Sequence, residues 1–527
     1  MASQAPKSPF DARQEAPDPI LATIVATIGP ASEHPDVVRA MIRAGACVFR
    51  LNFSHGDFTA HERRLRVVRD VARELGVSVA CLGDLQGPKI RVGSVPLGVG
   101  EPSAAGGGSI EVHAGDDVIL KRGIGESSIR PGHHGREAVL ALTYPSLVDE
   151  VELGHKVLIN DGAIRMLAVE RDAPRGELRC RVVVGGKITS GKGINLPQST
   201  LSAPAVTDRD WECVAWALEH ELDYLALSFV RSVTDVTTLK AHLDRAAADG
   251  KPWIPVIAKI EMPAAVADLE SIIAAADAVM VARGDLGVEM DLAQVPVVQK
   301  RILAVCAAYG KPSIVATQML ETMIENATPT RAEVSDVANA VFDGADAVML
   351  SGETAVGKHP AAVVETMARV VAAAETHQRA TQRPHTPPVH LAAAHRGTAA
   401  LAHGAWEIAR DLNAVAVVTW SENAGTARYL SQNRFDIPIV ACSSDPRGCR
   451  RMALYRGVTP VCMKPPGSGS LSDWNAAIDR YLLTHGLVRR GDAIVLLAGR
   501  PLGQAKKTNT LAIHRVGEES GFAAHLA

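Results

Sequence analysis

The chain is short of three things, and each shortage removes a class of protein. Its eight cysteines never fall into CxxC or cysteine/histidine ligand spacing, so neither a zinc site nor a disulfide framework is indicated, and a reducing compartment fits. No apolar run approaches the roughly 20 residues that a bilayer-spanning helix needs. The formal net charge is only -3, which gives neither nucleic acid nor a membrane surface an electrostatic reason to bind. Residues 1–19 contain Pro6, Pro9, Pro17 and Pro19 without an apolar core; a flexible tail is expected there, not a signal peptide, and the cytoplasm is the default location. What remains is an ordinary globular composition, 47% hydrophobic and 21% charged over 527 residues, enough for several domains of about 100 to 200 residues each.

From residue 21, short apolar runs alternate with amphipathic stretches. Residues 21–28, 47–51 and 79–83 read as buried strands, with helical sequence at 36–43 and 59–75 between them; this is βαβ patterning. From 93 to about 196 the texture turns Gly-, Pro- and Val-rich, with turn signals at Gly115-Asp116-Asp117 and Asn160-Asp161-Gly162, as in a small all-β insertion. Alternation then resumes, with strands at 223–227, 255–260, 278–282, 313–316 and 347–350 and helices at 207–221, 233–248, 264–275 and 295–309. Eight such strands predict a closed, parallel (β/α)8 TIM barrel. Helical sequence to about 379 and a Pro- and His-containing linker at 384–390 lead to a separate α/β domain, with strands at 414–419, 437–441, 458–461 and 493–497. The expected division is a tail (1–19), a barrel in two parts (20–91 and 196–380), an inserted β lid (92–195) and a C-terminal α/β domain (381–527).

The centre of the chain is Ala258-Lys259-Ile260-Glu261, at the end of the fifth strand. Side chains two apart on a strand point to one side, so Lys259 and Glu261 set a cation beside a carboxylate, which suits phosphate and metal. Taken alone, a structural ion pair is the plainer reading. Arg283-Gly284-Asp285-Leu286-Gly287, after the sixth strand, adds a carboxylate and two glycines whose amides can approach an anion; two carboxylates from neighbouring strands suggest a divalent ion. Arg50, Asn52 and Ser54 follow strand two, Asp84 and Arg91 strand three, Ser228 strand four, Thr317 strand seven, and Ser351 with Glu353 strand eight. Polar residues gathered at C-terminal strand ends are the signature of a barrel active site. In the last domain, residues 421–427 open a helix directly after a strand, a place for an anion or for an ordinary cap.

Over residues 23–516 the sequence resembles a pyruvate kinase. The resemblance rests on ATIGPAS (26–32), FRLNFSHG (49–56), DLQGPKIR (84–91), GKGINLP (191–197), LSFVR (227–231), AKIE (258–261), MVARGDLGVE (280–289), ATQML (316–320) and VMLSGETAVGKHP (348–360), in that order. It implies phosphoryl transfer from phosphoenolpyruvate to ADP, then protonation of enolpyruvate, in an enzyme that works mainly by positioning and by cations around the migrating group. It implies Glu261 and Asp285 as ligands of Mg2+, with Mn2+ as an alternative, and Lys259 and Arg50 on the phosphoryl group. The substrate carboxylate is expected at the amides of Gly284 and Asp285, Thr317 near the carbon that gains the proton, and Ser351 with Glu353 as a relay. Pro30, Asn52, His55, Arg91 and Lys192 correspond to nucleotide contacts, with the lid excluding water as it closes.

Asn52, Ser54, Asp84 and the carbonyl of Leu85 resemble a monovalent-cation site, yet Lys89 stands where potassium-dependent relatives carry glutamate. No potassium requirement is therefore expected. A homotetramer and a phosphorylated effector are implied by the family. The C-terminal effector site is placed between Ser421 and Thr426 on one side and Lys506 and Lys507 on the other, although residues 499–508 depart from the fructose 1,6-bisphosphate pattern. The Gly-rich lid segment 98–108 also departs from the expected length.

Overall fold

The computed structural model describes residues 20–103, 107–132, 135–381, 387–467, 471–499, 502–503 and 507–518. Eight strands, β1 (Thr23–Thr27), β2 (Ala46–Asn52), β3 (Ala80–Asp84), β4 (Tyr224–Leu227), β5 (Val256–Ile260), β6 (Ala278–Ala282), β7 (Ser313–Ala316) and β8 (Ala347–Leu350), close into a barrel in sequential order. All neighbours are parallel, and β8 returns to β1 through Thr23 opposite Ala347. These runs are short and apolar because a barrel strand is covered on both faces. Val25, Leu82, Ile257, Met280 and Ile314 fill the interior, while Ile24, Phe49, Leu225, Val279 and Val315 pack outward on the helices. The helices begin where local sequence demands it. Thr207 with Asp210 and Thr330 with Glu333 form capping boxes, which satisfy amides that a helix start leaves open.

Between β3 and β4 the chain makes the lid, one seven-stranded and one three-stranded sheet, with a single helical turn at Leu147–Glu150. Its entering and returning segments pair at the hinge: the Ile194 amide donates to the Ile90 carbonyl at 2.8 Å. The Gly-rich stretch folds partly into a hairpin, with Glu101–Pro102 antiparallel to Gly108–Val112.

The C-terminal domain is a five-stranded sheet of β9 (Ala416–Trp420), β10 (Ile439–Ser443), β11 (Val458–Cys462), β12 (Ala493–Ala498) and β13 (Thr510–Arg515), in the order β11-β10-β9-β12-β13. It plugs the barrel floor. Ala453 and Leu454 join the interior cluster, the Tyr224 hydroxyl donates to the Arg451 carbonyl at 2.7 Å, and Arg450 Nε lies 2.8 Å from Asp223 Oδ1.

Four local expectations change. The helix expected at 264–275 breaks at Asp268, whose carboxylate accepts from the Val233 amide at 2.9 Å. Residues 283–287, to which no helix was assigned after the sixth strand, belong to a helix, Arg283–Glu289, because the contacts of its first turn with Thr317 outweigh the two glycines. The linker expected at 384–390 is helical from Val389, its His390 ring stacked 4.1 Å from that of Tyr309; residues 382–386 lie outside the described residues. Strand β13, antiparallel to β12, was not anticipated: at an edge, only one of its six residues is buried, so its apolar pattern is faint.

Candidate active site

The C-terminal ends of the strands bring the expected residues together around one buried carboxylate. Asp84, 1% exposed, receives Arg50 Nε on Oδ2 at 2.6 Å and Lys259 Nζ beside Oδ1 at 3.2 Å. Lys259 also reaches Glu261 Oε1 at 2.8 Å and donates to the Ser228 hydroxyl at 2.7 Å. Arg50 donates from its other arm to Thr27 Oγ1 at 3.2 Å. Closure of the barrel produces this grouping: β3 and β5 flank β4, and inward side chains of alternate strands share a layer.

The charges decide the protonation states. Burial works against a charged Asp84, but the Lys259 and Arg50 charges hold its carboxyl below the usual range. Burial would lower Lys259; Asp84 and Glu261 overcome this and hold the ammonium above the usual lysine range. Glu261 is pushed up by burial, and by the charge of Asp285 against the pull of Lys259. Two carboxylates repelling each other across one volume are what a divalent cation relieves. Hard oxygen donors in this number suit an ion that takes its remaining ligands from substrate oxygens and water. No cluster of three or more His, Cys, Asp or Glu able to hold a metal occurs among the described residues.

A second group adjoins it. The Thr317 hydroxyl donates to the Ala316 carbonyl at 2.6 Å and accepts from the Gly284 amide at 2.7 Å, while Arg283 Nη2 holds the Thr317 carbonyl at 2.8 Å. These bonds fix Thr317 at φ 70°, where a β-branched side chain is strained and persists only because its surroundings over-determine it. The Gly284 amide, expected to face an anion, is therefore shared with Thr317.

Ser351 lies at the end of β8, but its buried hydroxyl has no hydrogen-bond partner among the described residues, and Glu353 instead accepts from the amides of Ser351 at 2.6 Å and Leu320 at 3.1 Å. Glu353 thus holds backbone, and no hydrogen bond among the described residues joins either side chain to Thr317. Of the nucleotide-side residues, His55 is kept below the usual histidine range by burial first and then by the charges of Arg91, Arg50 and Lys89. Arg91 Nη1 donates to the Gly191 carbonyl at 2.9 Å, next to Lys192 on the returning lid segment. Pro30 sits exposed in the turn after β1. Three of the four groups expected to hold a monovalent cation are engaged: Asn52 Oδ1 by the Ser54 amide at 3.1 Å, the Leu85 carbonyl by the Ser228 hydroxyl at 2.6 Å, and Asp84 by its two cations.

In the C-terminal domain, Ser421 Oγ accepts from the Ala427 amide at 3.1 Å, and Thr426 Oγ1 lies 2.8 Å from Thr508 Oγ1. The loop and the segment carrying Lys507 thus meet; Lys506 lies outside the described residues. Sequence reasoning missed Asn195 and Glu289, which bond across the lid hinge at 2.7 Å. Glu289 ends a motif that was legible, but nothing local indicates that it is buried.

The sequence matches two family models, pyruvate kinase barrel domain over residues 21–364 and pyruvate kinase alpha/beta domain over 399–514. It is 41% identical to a pyruvate kinase of Mycobacterium tuberculosis over 498 residues, 94% of this chain and 98% of that protein. It is 40% identical to pyruvate kinase 2 of Synechocystis, across 95% of this chain and 80% of the other. The fold superposes on a crystal structure of a pyruvate kinase from Cryptosporidium parvum with a TM-score of 0.80 at 32% identity, covering 97% of this chain and 98% of that one. With both family models in place on a closed barrel whose strand ends carry the expected charges, the chain belongs to the pyruvate kinase family.

Proposed function

We propose that Arg50, Lys259, Glu261, Asp285 and Thr317 form the centre at which this enzyme moves the phosphoryl group of phosphoenolpyruvate to ADP, giving pyruvate and ATP. The observation that carries this reading is the placement of Lys259, 2.8 Å from Glu261 and 3.2 Å from Asp84. A permanently charged ammonium is fixed at the mouth of the barrel beside two carboxylates. In-line transfer asks for positioning and for charge on the phosphoryl oxygens, and Lys259 and Arg50 supply both. The carboxylate of phosphoenolpyruvate is received at Gly284 and Asp285. Thr317, held rigid by Arg283 and Gly284, borders the carbon that takes the proton, with Ser351 on the same side. Pro30, Asn52, His55, Arg91 and Lys192 hold ADP, and lid closure keeps water from competing for the phosphoryl group.

The family needs a divalent metal, and we assign Mg2+, with Mn2+ as an alternative, to Glu261 and Asp285; when bound it neutralises substrate oxygens as a Lewis acid. Potassium is not required on this reading, since Arg50 and Lys259 already neutralise Asp84 and Lys89 adds a further cation. The working division is 20–91 with 196–380 as the barrel, 92–195 as the lid and 381–527 as a regulatory domain, in a cytoplasmic homotetramer. A phosphorylated effector is assigned to Ser421, Thr426 and Lys507; calorimetric titration of wild type and Thr426→Glu with AMP and sugar phosphates tests it, and equal binding by both removes it. The central experiment is a lactate dehydrogenase-coupled assay for pyruvate formed from phosphoenolpyruvate and ADP. Pyruvate formation that needs Mg2+ and both substrates is expected; none from folded enzyme overturns the assignment.

A further inference from the structure

Strand β11 ends in Cys462, exposed to solvent. In the parallel pairing of β10 with β11, Cys462 stands opposite Ser443, and opposite residues in a sheet direct their side chains to the same face. The helix Pro446–Met452 covers that face and carries the buried Cys449. Cys449 Sγ donates to the Ser443 carbonyl at 3.7 Å, at the residue that stands opposite Cys462 in the sheet. A third cysteine, Cys442, precedes Ser443 on β10 and points to the opposite face, into a core with Trp474, whereas Cys449 packs in a separate cluster with Ala441 and Met452.

We propose that Cys462 and Cys449 form an oxidisable dithiol, a modification site for hydroperoxides in the C-terminal domain, with Cys462 as the attacking thiol and Cys449 as the resolving one. The roles follow from access. Only Cys462 meets solvent, and burial, reinforced by the neighbouring cysteine, pushes the Cys449 thiol up, so it stays protonated until a partner sulfur is activated beside it. In the first step the Cys462 thiol ionises and its thiolate attacks a peroxide oxygen, the O–O bond breaks, Cys462 becomes a sulfenic acid, and the departing hydroxide takes up the proton the thiol released and leaves as water. In the second, Cys449 sulfur attacks Cys462 sulfur, the S–O bond breaks, and the Cys449 proton leaves with the departing hydroxide as a second water. Two thiols and one hydroperoxide give one disulfide and two waters when the oxidant is hydrogen peroxide.

The bridge would tie edge strand β11 to the helix that anchors the C-terminal domain on the barrel floor through Arg450 with Asp223 and through the Arg451 carbonyl. Oxidation therefore stiffens the C-terminal side of that contact while leaving the active site, at the other end of the strands, untouched.

The experiment exposes the full-length enzyme to hydrogen peroxide, with and without dimedone to trap sulfenic acid, and maps cysteine peptides by mass spectrometry. Wild type is expected to yield a Cys449–Cys462 cross-linked peptide lighter by two hydrogens than the sum of its parts and reversed by dithiothreitol. Cys449→Ser should accumulate the dimedone adduct at Cys462, and Cys462→Ser should give neither product. Accumulation of the adduct at Cys462 in wild type without a bridge, or oxidation that begins at another cysteine, overturns the proposal. Because both substitutions replace sulfur by oxygen away from the catalytic residues, turnover of the reduced variants serves as the control for folding.

Discussion

Asn195 Nδ2 donates to Glu289 Oε1 at 2.7 Å, and this bond joins the returning strand of the lid to the helix that begins with Arg283, Gly284 and Asp285. One end of a seven-residue helix thus carries substrate-side groups, and the other end holds the lid. Glu289 is 4% exposed, and its Oε2 has no hydrogen-bond partner among the described residues. A cavity of about 30 Å³ lies beside it, lined by Lys89, Asn195 and Arg231 among others; it is large enough for one water.

Asn195→Ala removes the donor and leaves a buried carboxyl without its partner. A hydrogen bond of this kind is worth about 1–2 kcal/mol, and because it acts on lid position, the KM for ADP should rise about fivefold or more while kcat falls less. Steady-state kinetics with ADP varied measures the split. An equal fall in kcat with KM unchanged would place the residue's influence on the chemical step instead.

Burial pushes the Glu289 carboxyl up to about 7, aided by the charges of Asp285 and Glu261 and opposed by the Asn195 amide. Between its ordinary value of 4.5 and 7, the folded protein binds this proton more tightly than the unfolded chain does. Its contribution to stability is therefore full below 4.5 and lost as pH rises through that window. Glu289→Gln should flatten the dependence and leave the metal-free enzyme more stable than wild type at pH 7. Urea unfolding at a series of pH values between 4 and 8 is the check; parallel curves for the two proteins contradict it.

Lys259→Met should lower turnover by at least about 10²-fold, since its charge acts on the transition state, with phosphoenolpyruvate affinity little changed. Glu261 and Asp84 lose a partner in the same variant, so the metal-free protein should be destabilised by roughly 3 kcal/mol. Single-turnover assays and thermal melts with and without Mg2+ separate these effects. Near-normal turnover in a folded variant would falsify the role given to this lysine.

Full activity is expected with Mg2+ in potassium-free buffer balanced by tetramethylammonium, and Lys89→Glu should acquire a potassium requirement. Reversing one charge changes the local charge by two units, and each unit acting at 4 Å is worth about 4 kcal/mol at an effective dielectric of 20. Strong activation of wild type by added potassium removes the idea.

The order of strands and helices was legible along the chain because each depends on a local pattern. Apolar runs such as Val256–Ile260 mark strands covered on both sides, and Thr207 announces a helix start. Polar residues at the ends of those runs pointed to one mouth of the barrel, because barrel geometry puts every such end there.

Tertiary structure decided what those residues do to one another. Asp84 and Lys259 are separated by the entire lid and become partners only when β3, β4 and β5 pair in register. The helical state of 283–289, the positive φ of Thr317 and the bond of Asn195 to Glu289 arise in the same way, from hydrogen bonds across distant segments that outweigh local preference. Periodicity and propensity report on neighbours a few residues away. Charge state, strain and hinge contacts depend on groups brought close by closure of the barrel and docking of the lid, and those distances are set only by the folded chain.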